Sequence, residues 1–356
     1  MSKRGNTCPT PPRDEVVRIL VVKLRAVGDV ILTTPVLRNL RLAYPGAAID
    51  FLTEPPSAAI LRTFPDVNEV VLFNRREVET AGPVKASKRG LELIRKIRER
   101  NYDLVLDLFG NPRTALVTRL SRAKWRVGFN WRGRKHAYNV VVPSRASQIH
   151  EVEFNLDALR WLGIPVVETR PQVVVTPEAE AEADAFFRQN NLQPGQVLAV
   201  NAAGGWATKR WPVSRFAEVA RRVYGEFGMP TLVLWGPGEL DLAERLLNRI
   251  GNAAVALPQT DLIGLAAVLK RCRLLLTNDS GPMHLAAAVG TPVTAIFGPT
   301  NPELQGPYGR GHYVVRNEEL NCLGCNLTRC EHRSCMVGLA TDKVFEVVRR
   351  ALGERR

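Results

Sequence analysis

The sequence predicts an α/β protein built of two doubly wound, Rossmann-like domains. Three observations carry this. The 356 residues exceed what one core usually organises and suit two domains of ordinary size. Short apolar, β-rich runs alternate with amphipathic helical runs, the pattern of a parallel sheet covered by helices on both faces. The alternation halts at 163–177, where Pro165, Pro171 and Pro177 interrupt it, and then begins again. The domains are accordingly placed at 15–170 and 171–356. Apolar residues at 45% and charged residues at 24% give the balance of a soluble globular protein. No apolar run reaches the ~18 residues of a membrane span.

In the first half, residues 17–24 (VRILVVKL) are mostly apolar and β-branched and read as a strand. A short loop, 25–29, leads into a helical pattern over 30–43 that stops at Tyr44-Pro45-Gly46. There follow a strand at 48–53, a helix at 57–63, a strand at 70–73, a helix at 91–100, a strand at 104–108 and a helix at 114–121. The second half opens with a strand at 197–201, a helix at 214–227, a strand at 231–235 and helices at 240–250 and 262–270. A strand at 274–277, a helix at 283–289, a strand at 293–297 and a last helix at 342–352 complete it. Two such domains facing each other place ligands in a cleft between the carboxyl ends of both sheets. Residues 1–14 are polar and hold Pro9, Pro11 and Pro12. Without the apolar segment of a secretory signal they read as a disordered lead-in to a cytoplasmic protein.

Charge is unevenly distributed. The formal net charge is +14, and residues 1–170 hold 29 Lys and Arg against 17 Asp and Glu. Residues 171–356 hold 20 against 18, so nearly all the excess lies in the first half. A polyanionic partner for that half fits this asymmetry, as does a merely solvated basic face.

Four elements could carry chemistry. Asp29, in Gly28-Asp29, stands at the carboxyl end of the first strand, where a carboxylate could act as general base; an ordinary helix cap is the plainer use of the same position. The loop 201–212 (NAAGGWATKRWP) leaves a strand through small residues and delivers Lys209, Arg210 and Trp211 to the start of a helix. Small residues let backbone approach phosphate, and a cation beside a helix start favours anions. The run Asn278-Asp279-Ser280-Gly281-Pro282-Met283-His284 turns from strand to helix. The Ser280 and Gly281 N–H groups there would cradle a diphosphate with the helix dipole. Capping would explain Asp279 or Ser280, but does not call for His284 one turn further on. Glu239, after Trp235-Gly236-Pro237-Gly238, could hold ribose hydroxyls or serve as a first-turn helix acid.

Together these elements resemble glycosyltransferase family nine, the ADP-heptose:lipopolysaccharide heptosyltransferases. The resemblance runs from residue 19 to about 336. It rests on Gly28-Asp29, on Lys209-Arg210-Trp211-Pro212, and on 278–285 followed by Gly298-Pro299-Thr300-Asn301-Pro302. It implies a GT-B fold and inverting transfer of a heptose from ADP-heptose to a lipopolysaccharide inner-core sugar. By matching position Asp29 would be the catalytic base and Lys209 the diphosphate ligand. Glu239 would bind the nucleoside ribose, and Asp279, Ser280, Gly281 and His284 the donor phosphates and sugar. Residues 202–208 depart from the hydroxyl-rich sequence of some members, which leaves their phosphate contacts undefined. The residue types agree with such chemistry: one base for the acceptor hydroxyl and positive charge for a leaving diphosphate. No Asp-x-Asp occurs anywhere, so a lysine and a helix start would take the place of a divalent ion, and catalysis needs no cofactor.

Four of the six cysteines, Cys322, Cys325, Cys330 and Cys335, fall in CLGCNLTRCEHRSC. A structural metal, zinc or iron, is one reading, and reduced thiols or disulfides the others. The first pair has C-x₂-C spacing, whereas the second is separated by four residues, unlike a zinc ribbon. Similar clusters occur in part of the family. Cys272, at a helix end, reads as a buried free thiol.

The family's acceptor is an acidic, phosphorylated glycolipid, which the basic first half would bind; Arg132, Arg134 and Lys135, after Trp131, are the expected contacts. The enzyme would be cytoplasmic and meet the anionic inner-membrane surface peripherally. Nucleic acid is not an expected partner: no recognised motif is present, and aromatic residues amount to 7%. Two rivals stand beside this reading. One is a transferase of the same fold using another nucleotide sugar, or a protein or capsule acceptor. The other is a non-catalytic nucleotide- or nucleic-acid-binding protein, which would release no ADP.

Overall fold

The structure, a computed structural model, describes residues 10–80, 82–131 and 133–353. The chain divides into two compact units, Met1–Pro171 and Gln172–Arg356. In the first, β1 (Arg18–Val22), β2 (Ala48–Thr53), β3 (Glu69–Leu72), β4 (Leu104–Asp107), β5 (Trp125–Phe129) and β6 (Val140–Val142) form one parallel sheet ordered β3-β2-β1-β4-β5-β6. The second sheet contains β7 (Leu198–Asn201), β8 (Thr231–Val233), β9 (Ala254–Ala256), β10 (Leu274–Asn278), β11 (Val293–Ile296) and β12 (Tyr313–Val315). Its order, β12-β11-β10-β7-β8-β9, is the same topology read from the other edge. Both are the doubly wound arrangement, which turns back between the first and fourth strands and leaves a crevice at their carboxyl ends.

Central strands of such a sheet are covered on both faces, so they read as continuous apolar runs rather than alternating ones. Ile19, Leu20, Val21 and Val22 are all fully buried, as are Leu198, Ala199 and Val200. Asp50 in β2 departs from this; it is buried but bonded by the Arg100 guanidinium and the Tyr102 hydroxyl, each at 2.7 Å. Helix ends follow local chemistry. Asp261 accepts from the N–H groups of Ile263 and Gly264 at the start of Leu262–Arg271. Gly228, at φ +65°, closes Val213–Phe227 in a left-handed conformation that a Cβ would strain.

The structure corrects several expectations. The helix expected over 30–43 is two helices, Val27–Ile31 and Thr34–Ala43. Pro35 lacks the N–H to continue the first and would clash with the carbonyl four residues back, but it fits the opening turn of the second. Within the expected disordered lead-in, Pro11 is buried and anchored: the Tyr44 hydroxyl donates to its carbonyl at 3.0 Å. The rest of that expected lead-in, 1–9, lies outside the described residues. Helices Arg75–Thr80, Glu151–Trp161 and Pro177–Gln189 and strands β5, β6, β9 and β12 had no counterpart in the sequence reading. Among the described residues, no helix is long and apolar enough to cross a membrane.

Candidate functional site

In the second unit the loops after β7 and β10 meet at the point where the sheet's winding reverses. The Asn278 side chain, fully buried at the end of β10, ties them together. Its amide donates to the carbonyls of Ala202 at 2.8 Å and Ala203 at 3.1 Å, and its oxygen accepts the Trp211 N–H at 3.0 Å. Asn201, ending β7, donates to the hydroxyls of Thr277 at 3.2 Å and Ser280 at 3.0 Å. Trp211 is buried and its indole N–H donates to the Leu339 carbonyl at 3.1 Å. The loop between, whose regular structure is confined to one short turn, is thus clamped at both ends.

Lys209 rises from this loop at the end of the short turn Ala207–Lys209. Its ammonium lies 2.6 Å from Asp279 Oδ2 and 4.4 Å from the Trp206 ring centre. Thr300 donates its hydroxyl to the same Asp279 oxygen at 2.7 Å. A lysine has three donors, so this ammonium keeps capacity for an anion. Ser280 precedes the helix Gly281–Ala288, whose first N–H groups have no partners within the helix, and His284 lies buried one turn in. Glu239 caps its own turn: Oε2 accepts the Gly236 N–H at 2.8 Å, just before the helix Leu240–Ile250.

In the first unit, Asp29 follows β1 and is half-buried. Its Oδ2 accepts the Ala26 N–H at 2.8 Å, so the carboxylate does serve the turn Val27–Ile31 as a cap, with one oxygen. At the end of β4, Asp107 is fully buried, and burial pushes its pKa up. The N–H groups of Gly110 and Phe109 and the Tyr138 hydroxyl oppose that by bonding the carboxylate. Tyr138 reaches it because residue 128 is glycine; a Cβ there would come within 2.4 Å of the ring. Lys23, directly after β1, is buried beneath this end of the sheet.

The expected acceptor contacts divide. Arg134 lines a cavity of about 350 Å³ with Arg119, His136, Ala115 and Leu116, and its Nε is buried without a hydrogen-bond partner. Lys135 is exposed at the start of the turn Lys135–Ala137. Arg132 lies outside the described residues.

Cys322, Cys325, Cys330 and Cys335 all line one cavity of about 40 Å³, together with His332, Thr208 and Pro299. All four are free thiols, and so is the buried Cys272. Burial first, then the neighbouring Cys322, Cys325 and Cys330, pushes the Cys335 thiol up. Among the described residues no three His, Cys, Asp or Glu side chains converge closely enough to hold a metal ion. The loop seats against β11's exit because residue 298 is glycine; a Cβ would sit 2.7 Å from Met336 Sδ and 2.8 Å from Cys335 Sγ.

Sequence reasoning gave no individual role to Asn278, Asn201, Thr300 or Lys23. The available signal was a polar residue closing an otherwise apolar strand, a group that burial obliges to find partners.

Comparison with known proteins adds an independent line. The model of glycosyltransferase family 9 (heptosyltransferase) matches residues 91–335. Lipopolysaccharide heptosyltransferase 1 of Pseudomonas aeruginosa is 31% identical over 328 residues, covering 89% of this chain and 88% of its own. A family 9 glycosyltransferase of Veillonella parvula superposes with TM-score 0.82 at 25% identity, over 95% of this chain and 98% of that one. The Escherichia coli heptosyltransferase WaaC, solved with ADP, gives TM-score 0.75 at 25% identity, over 94% and 100%.

Proposed function

The chain belongs to glycosyltransferase family 9, the heptosyltransferases, and on that premise we propose that it moves a heptose from ADP-heptose to an inner-core sugar of lipopolysaccharide, with inversion and without a metal in the chemical step. Its fold is of the GT-B type. One observation carries the donor half of this reading: the Lys209 ammonium, 2.6 Å from Asp279, beside the start of the helix Gly281–Ala288. A leaving diphosphate gains charge as the sugar bond breaks, and a fixed cation with helix N–H groups lowers the energy of that charge. Asp279 fits better as the residue that orients Lys209 than as a phosphate ligand, since two anions in contact repel. Ser280, Gly281 and His284 complete the donor contacts, and Glu239 faces the ribose. The relative solved with ADP supports this kind of leaving group.

Asp29 takes the proton from the acceptor hydroxyl. Supporting this is its place at the exit of β1, with only one carboxylate oxygen bonded to Ala26. The acceptor, an acidic phosphorylated glycolipid, is held by Arg134 and Lys135, with Arg132. The enzyme works in the cytoplasm, meeting the membrane only at its surface. The cysteine loop is a structural site for zinc or iron, outside the chemistry. The shared cavity supports it, and a cavity of about 40 Å³ has room for an ion. Binding requires the thiol side chains to rotate inward, since as placed they do not converge.

The deciding experiment is turnover with purified donor and acceptor. Asp29→Asn keeps ADP binding and lowers turnover about 10²–10⁴-fold, the usual worth of a general base. Lys209→Ala raises donor KM and lowers kcat together. EDTA leaves transfer intact. Turnover of Asp29→Asn within about threefold of the parent would return Asp29 to a cap alone. ADP release from other nucleotide sugars in preference to ADP-heptose would displace the donor assignment.

A further inference from the structure

Lys23 is a charged side chain in a place where an apolar one would ordinarily stand. Its ammonium uses all three donors: to the Leu108 carbonyl at 3.0 Å, to Glu151 Oε1 at 2.6 Å and to Asn155 Oδ1 at 3.3 Å. Leu108 follows β4, while Glu151 and Asn155 lie one turn apart on the helix Glu151–Trp161. The fully buried Asn155 turns its amide toward the Leu32 carbonyl and the Thr33 hydroxyl, each at 3.5 Å. The Thr33 hydroxyl in turn donates to the carbonyl of Asp29 at 2.8 Å. An unbroken run of contacts therefore joins a buried cation to the backbone of the turn that carries Asp29.

Burial disfavours the charged ammonium. The field of Glu151, then that of Asp29, then the Glu151 hydrogen bond and Asp107, more than offsets this, and the Lys23 pKa is raised. The charged groups facing Lys23 are thus Glu151, Asp29 and Asp107, the last bonded by Tyr138. A buried ion pair adds little stability over a well-packed apolar pair. Its presence against the exit of β1 calls for another reason.

We propose that Lys23 is a positioning residue for Asp29: braced by Glu151 and Asn155, it fixes the Val27–Ile31 turn and supplies positive charge that favours the ionised Asp29 carboxylate, the form able to take the acceptor's proton. This rests on the reading of Asp29 as the base. Lys23 touches no substrate; it acts through the turn and through its field.

The test is the pH profile of kcat/KM for Lys23→Met and Glu151→Gln, with Asp29→Asn as reference. A base must be deprotonated to work, so removing a nearby positive charge moves the low-pH edge of activity up, and removing a negative one moves it down. Lys23→Met lowers kcat tenfold or more, leaves ADP affinity within twofold, and raises that edge by about half a unit or more. Glu151→Gln keeps an oxygen for Lys23 to bond and shifts the edge down. A role confined to holding the fold predicts no such opposition of sign. If both variants melt cooperatively and the edges stay put or move together, the proposal is overturned. Should Lys23→Met not fold, an unmoved edge in Glu151→Gln overturns it alone. Full turnover in Asp29→Asn would instead remove the base reading on which it stands. An inactive Asp29→Asn with unmoved edges removes only the role of Lys23.

Discussion

Asn278 holds together a loop whose regular structure is confined to the short turn Ala207–Lys209. Its amide and oxygen satisfy two carbonyls and one N–H from residues 67 to 76 positions away. Asn278→Ala would leave those groups buried and unpaired, at about 1–3 kcal/mol each before relaxation. The expected result is a protein that still folds, melts several degrees lower and binds ADP at least tenfold more weakly, measured by calorimetric titration. ADP affinity within twofold of the parent would mean that the loop keeps its shape unaided. Asn278→Asp is expected to do no better, because it sets an oxygen against the Ala202 and Ala203 carbonyls. Residues at this scale were only half legible in the sequence. Asp279 and Asp29 stood out through their place at strand ends, and Lys209 through its place just before a helix, all of which is local. Nothing local announced that Lys209 and Asp279 pair, or that Asn278 and Lys23 reach partners 67 to 132 residues away.

Elements were legible where propensity and pattern agreed. Ala48–Thr53 and Leu240–Ile250 stand at the bounds their periodicity predicts. They failed where an element is short or its pattern broken. The strand β5 reads WRVGF, its apolar run interrupted by Arg126 and by the Gly128 that Tyr138 requires. The strand β6 has three residues and is followed at once by Pro143. Neither forms alone; each is completed by pairing with its neighbours in the sheet. The cysteine loop is the other such element, ordered by what it packs against. Protein purified without oxygen is expected to contain about one zinc or iron per chain by elemental analysis. Removing the metal should lower the melting temperature, with a loss of stability smaller than the ~10–16 kcal/mol such sites supply in small peptides. Four titratable thiols with no metal present would count against the site, leaving Cys335 as core packing beside Gly298.

For the molecule as a whole, several cations of the first half are paired with carboxylates, and its net excess remains over and above those pairs. Arg100 bonds Asp50 and Glu69, Arg160 bonds Glu153 and Asp157, and Arg113 bonds Glu79. The cations left over on that unit are expected to give reversible attraction to an anionic surface, at about 1 kcal/mol for each that lies near it. Sedimentation with anionic vesicles should show binding at low salt that is largely gone by about 0.5 M, where screening is short-ranged. Neutral vesicles should bind little. Arg134→Ser with Lys135→Ser should weaken use of the phosphorylated acceptor more than ADP binding; an unchanged acceptor KM would return both to a solvated face. The two sheets share one strand order, and each closes its own core on its own side of Pro171. Each half therefore specifies its winding, its crevice and its set of functional side chains without borrowing a strand from the other. In genetic terms, the joint at Pro171 and Gln172 is where a crossover would cut through neither sheet. On the function proposed above, an exchange there would replace the acceptor half as a whole and leave the donor half as inherited.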